Sequence, residues 1–427
     1  MALDFSKLPP EKPVPETPPS RFVWTVVFFV LTLLGIFAVL MLWPADEPTR
    51  TPLFWICVTV VPIGIAMLAV LRRYSVYEGR RLDALEWNEA CKRYNAEEFS
   101  RESIPVLVLG SALQVTGDDK ADAVGQIADG TLTLDAQASD HEENESVSAR
   151  WIEPLEARLA ADDVERHALV LEWLYDCLQT DLTRPVSTLP MELGLNIRLE
   201  VSGYRGEVDA LTLWNDRWRA HKLRSARAFP ASDTPGPMVL DSWLDDQGGP
   251  LDKGALLLVS ISLNALLEGV PPEGSAEAGT GLLMVSTRIA SRHGLHPIAA
   301  IHRPVRSAND NLDHPMTSAL RWGSAGVQSL GSAWMTGFDG ETVGPLHTAL
   351  GHVSADTPRK DTLPEFDLDR AVGNAGPAAG WLAVACAVQT ASQAPAPQLV
   401  TQRCADHTVI AVVRKHDEEM NHVSSPA

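Results

Sequence analysis

The residue types that do covalent or metal chemistry are few in this chain, and their spacing suits it poorly. Five cysteines, Cys57, Cys91, Cys177, Cys386 and Cys404, stand singly with no CxxC pair, which fits reduced thiols in a cytosolic compartment. A thiol becomes a nucleophile when a helix N-terminus or a cation lowers its pKa. Cys177 lies inside a helical pattern beside Asp176, and Cys386 lies on an apolar small-residue segment; both settings suit packing. His293 and His296 make an HxxH with His302 nearby, yet Pro297 breaks the helix that would align the first two as zinc ligands. His347 and His352 are five apart, off the spacing that puts two side chains on one helical face. There is no GxxxxGK(S/T) phosphate loop and no GxSxG elbow, and Gly279 and Gly281 are too isolated to cradle a dinucleotide. The expectation is a chain with no catalytic residue, no metal and no cofactor.

Trp214 and Trp218 share a helical segment with Arg217 and Arg219, and Trp243 follows a turn-rich break. Aromatic rings and arginines are the residue types that anchor protein interfaces. These five residues are therefore the candidate partner-binding set, with core packing the alternative for each tryptophan. Stacking on nucleotides is disfavoured, because Lys+Arg 35 against Asp+Glu 55 gives a net charge of -20, which repels phosphate and argues against a nucleic-acid partner.

The elements that position these residues begin with two apolar runs. Phe22 to Trp43 carries no charge over 22 residues, enough at about 1.5 Å per residue to cross a hydrocarbon core of about 30 Å. Leu53 to Leu71 is a second uncharged run, of 19 residues, with Pro62 and Gly64 inside it, both tolerated in bilayer helices. Pro44 to Pro52 between them is turn-sized, so the pair reads as a transmembrane helical hairpin inserted in a lipid bilayer. A cleaved signal peptide fits less well: the first run is too long and lacks a small-x-small site. Lys7, Lys12 and Arg21 precede the hairpin, Arg50 alone lies in the turn, and Arg72, Arg73, Arg80 and Arg81 follow. The positive-inside bias then puts both termini, and the large soluble part, in the cytoplasm. The prolines from Pro9 to Pro19 suggest an extended spacer, with a polyproline-II ligand for a partner the second reading.

Beyond the membrane, Tyr77 to Phe99 reads as an amphipathic helix and Ile104 to Leu109 as a short strand. Asp118 to Ser148 reads as polar loop or solvated helix. Trp151 to Leu182 has helical spacing, with Leu155, Leu159, Val164, Leu169, Leu171, Trp173 and Leu174 as its buried face. Ala231 to Pro237 is a candidate domain boundary. Leu256 to Leu263 and Gly281 to Ser286 are near-continuous apolar runs of the kind buried central strands show. Thr287 to His293 is a short helix, Ile298 to Ile301 a strand, Pro377 to Ala391 a small-residue helix and Thr408 to Val413 a last strand. Arg303 to Gly326 and His352 to Leu368 read as surface loops. The expected organisation is a proline-rich tail (1–21), a two-helix transmembrane hairpin (22–71), an amphipathic connector (72–103), an α/β domain (104–230), a second domain (238–414) and a frayed tail (415–427).

Two sets of motifs carry a resemblance. Glu277-Ala278-Gly279-Thr280-Gly281 before Leu282-Leu283-Met284-Val285, and Arg292-His293-Gly294 before the next strand, resemble the second half of ketosynthases, where a "GEGA" turn opens a strand and an "RGA" helix end leads onward. Val372-Gly373-Asn374-Ala375-Gly376-Pro377-Ala378-Ala379-Gly380 is similar to that family's "GHLLGAAG" helix start. The resemblance implies a thiolase-like layered αβα arrangement over about Lys253 to Lys415. The family's turn histidine falls at about Gly373, its "HGT" strand-end histidine has no counterpart, and no cysteine stands at an elbow, which implies lost acyl-transfer chemistry.

The hairpin, "PVLVLG" at Pro105 to Gly110, "RPVSTLP" at Arg184 to Pro190 and the thiolase-like end together resemble the lipase-adaptor family of bacterial type VI secretion. That resemblance implies a non-catalytic adaptor at the bacterial inner membrane that binds a lipase effector and helps load it onto the type VI spike protein. The alternative is a membrane-bound acyl-condensing or acyl-chain-binding protein of the thiolase-like superfamily. An immunity protein would need a periplasmic domain, which the basic cluster at 72–81 opposes.

Overall fold

The structure is a computed structural model that describes residues 8–44, 46–138, 146–231, 236–246, 248–354 and 361–416. Lys7, the middle of the break at 232–235 and the tail from 417 onward lie outside the described residues. The chain forms two compact units, one ending at Arg101 and the other starting at Glu102.

The first unit is helical. Helix α1 (Arg21–Leu42) starts at Ser20, whose Oγ accepts from the Val23 amide, and none of its residues is buried. Helix α2 (Pro52–Trp55) is capped by Thr51, with proline at the first helical position where its missing N–H costs nothing. A π-helical turn (Ile56–Val60) joins it to α3 (Val61–Glu102). The wide turn falls just before Pro62, which cannot donate to the preceding carbonyls. A Cβ on Gly35 would lie 2.7 Å from Pro62 Cβ, so α1 meets the second helix closely where one partner has no side chain. Arg21–Leu42 and Pro52–Glu102 are long and apolar enough to cross a membrane. The expected separate connector at 72–103 is not separate: between Leu71 and Tyr77 nothing breaks the helix, so the apolar run continues into the charged stretch without a joint.

The second unit is built on one eleven-stranded sheet. Its first part comprises β1 (Val106–Gln114), α4 (Ala123–Ala128), the small hairpin β2 (Ala136–Ala138) with β3 (Ser146–Ser148), α5 (Asp163–Ser187) and β4 (Leu195–Ser202). Then come α6 (Ala210–Ala220), β5 (Arg227–Pro230), α7 (Val239–Asp245), α8 (Pro250–Lys253), β6 (Ala255–Ser262), β7 (Ala278–Ser286) and α9 (Thr287–His293). The chain continues through β8 (Ala299–Ile301), β9 (Val305–Ala308), α10 (Asp313–Trp322), β10 (Ser332–Thr336) and α11 (Gly344–Ser354). It ends with β11 (Glu365–Asp367), α12 (Leu368–Ala371), α13 (Ala379–Gln393), β12 (Gln398–Arg403) and β13 (His407–Lys415).

The sheet runs β11-β10-β12-β13-β8-β1-β7-β6-β4-β5, with β9 beside β13. The strands of 104–230 and 238–414 thus share one sheet in one unit, and the break at 231–237 falls inside it, between β5 and α7. Strands β4, β5 and β6 are parallel, as are β10, β11 and β12, while β7 and β13 run antiparallel to their neighbours. Each part therefore repeats one pattern, a parallel trio closed by a reversed strand.

Helix α13 lies at the centre, packed against strands from both parts. Every residue from Ala379 to Val388 is buried, as an all-round apolar helix requires, and the run of Ala and Gly lets the strands come close. On the other face, α5 and α6 cover the first strands and α10 and α11 the last ones. Two sequence expectations change. Helix α5 starts at Asp163, after Pro154 and a 3-10 turn, because Asp162 caps it by accepting from the Glu165 amide at 2.8 Å; Leu155 and Leu159, expected on its buried face, are 74% and 91% exposed. The expected loop at 303–326 contains β9 and α10, whose buried Met316, Ala319 and Leu320 keep helical spacing among His, Pro and Ser residues that masked it.

Candidate functional site

One network of polar groups lies at the N-terminal end of α13, beside the end of β10. Strand β10 ends at Thr336-Gly337, and the chain reaches α13 through α12 and a turn at Gly373 with φ of 105°. Asp369 on α12 organises this end. Thr336 Oγ1 donates to its Oδ1 at 2.6 Å, and its Oδ2 accepts from the Gly337 amide at 2.8 Å and Asn374 Nδ2 at 3.0 Å. Asn374 is committed on all sides: its Oδ1 accepts from the Gly376 amide at 2.8 Å, its amide donates to Gly274 O, and its carbonyl accepts from Ala276. A carboxylate, a hydroxyl and a carboxamide are thus locked together with neither an imidazole nor a thiol among them.

Against this end lies a cleft of about 600 Å³, bordered by Glu200, Ser202, Tyr204, Glu207, Asp209 and Pro377. It opens at the carboxyl ends of β4 and β5, where parallel sheets commonly bind ligands. Its lining holds three carboxylates and no lysine or arginine, so it disfavours anionic ligands. Beneath it Glu200 is buried: Arg198 Nε donates to it at 3.1 Å, and Trp381 Nε1, one turn into α13, donates at 2.9 Å. Arg198 lies over the Trp243 ring at 5.3 Å. Helix α7, which carries Trp243, is held by buried Arg303, whose guanidinium reaches Asp241 at 2.6 Å and Asp245 at 2.8 Å.

The "GEGA"-like glutamate has a different role. Glu277, with no exposure, accepts from Arg166 at 2.9 and 2.7 Å and from the amides of Ile152 and Asn264. It is a packing node between α5 and the β6–β7 turn.

The residues expected to bind a partner are dispersed. Trp214 is fully buried, stacked on Trp218 at 5.6 Å and edge-on to Tyr175 at 4.9 Å. Trp218 and Trp243 are 6% and 7% exposed. All three are core residues: Trp214 and Trp218 because α6 packs on α5 through its aromatic stripe, and Trp243 because α7 packs into the core around α13. Arg217 pairs with Asp176 and, at 3.7 Å, with Glu172; of the five, Arg219 alone is exposed, its side chain 77% accessible and paired with Asp216. The structure does not bring Trp243 to this helix. No cysteine has an activating setting among those with a shifted thiol: burial, then Asp119, Asp181 and Asp176, push Cys177 up to about 12, and burial raises Cys386 and Cys404. Among the described residues no cluster of His, Cys, Asp and Glu is arranged to hold a metal.

No protein-family model matches the sequence. No curated protein matches it either. Solved structures do. A ketosynthase from module 6 of the bacillaene synthase of Bacillus subtilis 168 superposes with a TM-score of 0.50 at 11% identity, over 74% of this chain and 71% of that one. A ketosynthase from module 1 of the bacillaene synthase of Bacillus amyloliquefaciens FZB42 gives 0.50 at 10% identity, over 74% and 76%. The chain has the thiolase-like ketosynthase fold. The likeness spans three quarters of the chain, well beyond the stretch from 253 to 415 where motifs are visible.

Proposed function

We propose that this protein is a non-catalytic adaptor: a ketosynthase-fold domain held at a membrane by α1 and the apolar part of the following helix, which binds a protein partner. The supporting observation is the lock at Asp369. In the "GHLLGAAG"-like turn the residue after the first glycine is Asn374, not a histidine. A carboxamide cannot shuttle a proton near neutral pH, and the hydrogen bonds of Asn374, like that of Thr336 beside it, are already taken. The acidic cleft adds to this, since it disfavours anionic ligands.

The partner class implied by the sequence resemblance is a lipase effector bound for the type VI spike protein, with the soluble unit in the cytoplasm. The test uses the full chain in detergent micelles. Calorimetric titration with a cognate lipase should show saturable binding, and incubation with an acyl thioester and a malonyl thioester should release no carbon dioxide. Absence of any lipase binding removes the partner assignment, and carbon dioxide release removes the non-catalytic one. The ketosynthase fold itself favours a second reading, an acyl-condensing protein, and that second assay decides between them.

A further inference from the structure

The proline-rich segment is not an idle spacer. A polyproline-II strand makes no internal hydrogen bonds, so its carbonyls need donors from elsewhere. Here α3 supplies them. Trp87 Nε1 donates to Pro10 O at 3.2 Å, Tyr77 Oη to Pro15 O at 3.2 Å and Tyr74 Oη to Pro19 O at 3.2 Å. Asn88 grips Lys12 twice, accepting from its amide at 2.7 Å and donating to its carbonyl at 2.9 Å. Lys12 also reaches Asp83 at 3.1 Å and lies over the Trp87 ring at 4.5 Å, which fixes the register.

The spacing has a simple origin. Polyproline II rises about 3.1 Å per residue and an α-helix about 1.5 Å, so one tail residue spans two helix residues. From Lys12 to Pro19 the tail advances seven residues, about 22 Å, while from Asn88 back to Tyr74 the helix advances fourteen, about 21 Å. The donors sit where an antiparallel polyproline strand presents its carbonyls. Ala84 and Cys91, seven apart on the same stripe, are 4% exposed.

We propose that the 74–88 stretch of α3 is a polyproline-II docking site whose occupant is residues 9–19 of the same chain, a displaceable strap. The interaction depends on the extended conformation that the prolines impose and on the four side-chain donors. Both are separable by mutation in the full chain. The probe is a labelled peptide of residues 8–20 added to the detergent-solubilised protein. Replacing Pro9, Pro10, Pro13, Pro15, Pro18 and Pro19 by Gly should free the site, so that the peptide binds at least tenfold more tightly than to the wild type. Adding Tyr74→Phe, Tyr77→Phe, Trp87→Phe and Asn88→Leu in that background should weaken binding at least tenfold, with helicity by circular dichroism unchanged. Equal peptide affinity for wild type and glycine variant, or indifference to loss of the donors, overturns the proposal. Dimers of the wild type by light scattering that dissociate in the glycine variant would show the strap exchanged between copies, and would overturn the intramolecular occupant.

Discussion

At the scale of single residues, the buried histidine just after β8 sets a pH limit that its sequence position does not announce. His302 is held at about 4, mainly by burial and further by the nearby Arg414 charge, with the Trp322 backbone opposing. Its folded pKa lies below the unfolded value of about 6.5, so the unfolded chain takes up a proton that the folded one refuses. The stability is therefore fully present above about pH 6.5 and drains as pH falls toward 4, by about 3 kcal/mol in all. Melting curves between pH 7.5 and 4.5 should show this loss, and His302→Leu should flatten it; parallel slopes in the two proteins would rule it out. From sequence His302 reads as a metal ligand or a solvated loop histidine, because type and spacing are visible and burial is not. Asn374 and Asp369 were overlooked for a similar reason: they gain meaning only when the end of β10 is brought to the α12–α13 turn.

At the scale of elements, the apolar strands and the small-residue helix were readable because burial on all sides leaves an unbroken apolar run, as in β6, β7 and α13. Elements with one wet face are harder to see: His314, Pro315 and Ser318 break the apolar spacing of α10, so its sequence suggests a loop. The meeting of "PVLVLG" with "RPVSTLP" is a clear case of what spacing cannot show: a Cβ on Gly110 would lie 2.5 Å from Pro185 Cγ, so the bulge in β1 and the proline inside α5 fit only because that residue is glycine. The aromatic stripe of α6 misled for the opposite reason, since a tryptophan pair beside arginines looks the same in sequence whether it faces a partner or a core. Trp214→Ala should destabilise the second unit by about 3–5 kcal/mol, whereas Arg219→Glu should leave its melting temperature within a degree or two. A folded, wild-type-like Trp214→Ala protein would show that α6 does not pack as described.

At the scale of the whole chain, composition separated an apolar N-terminal segment from an acidic remainder, and the boundary at Arg101 follows that division. What composition could not show is that the remainder is one folding body, because the two parts share their sheet through β1, β8 and β13, in which Ile301 pairs with Val106, 195 residues before it, and with Val413, 112 residues after it. A reporter fused after Ala427 should be active in the cytoplasm alone, as the basic residues at 72–81 require; periplasmic activity would reverse the orientation and remove the adaptor reading. The bond from Tyr74 to Pro19 bears on the same question by a different route. Two atoms 3.2 Å apart cannot lie on opposite faces of a bilayer about 30 Å thick. If the two apolar helices cross a bilayer, the segment before α1 and the stretch after the second apolar run therefore share one compartment, and tags placed next to Pro19 and Tyr74 should report the same side whichever way the helices insert.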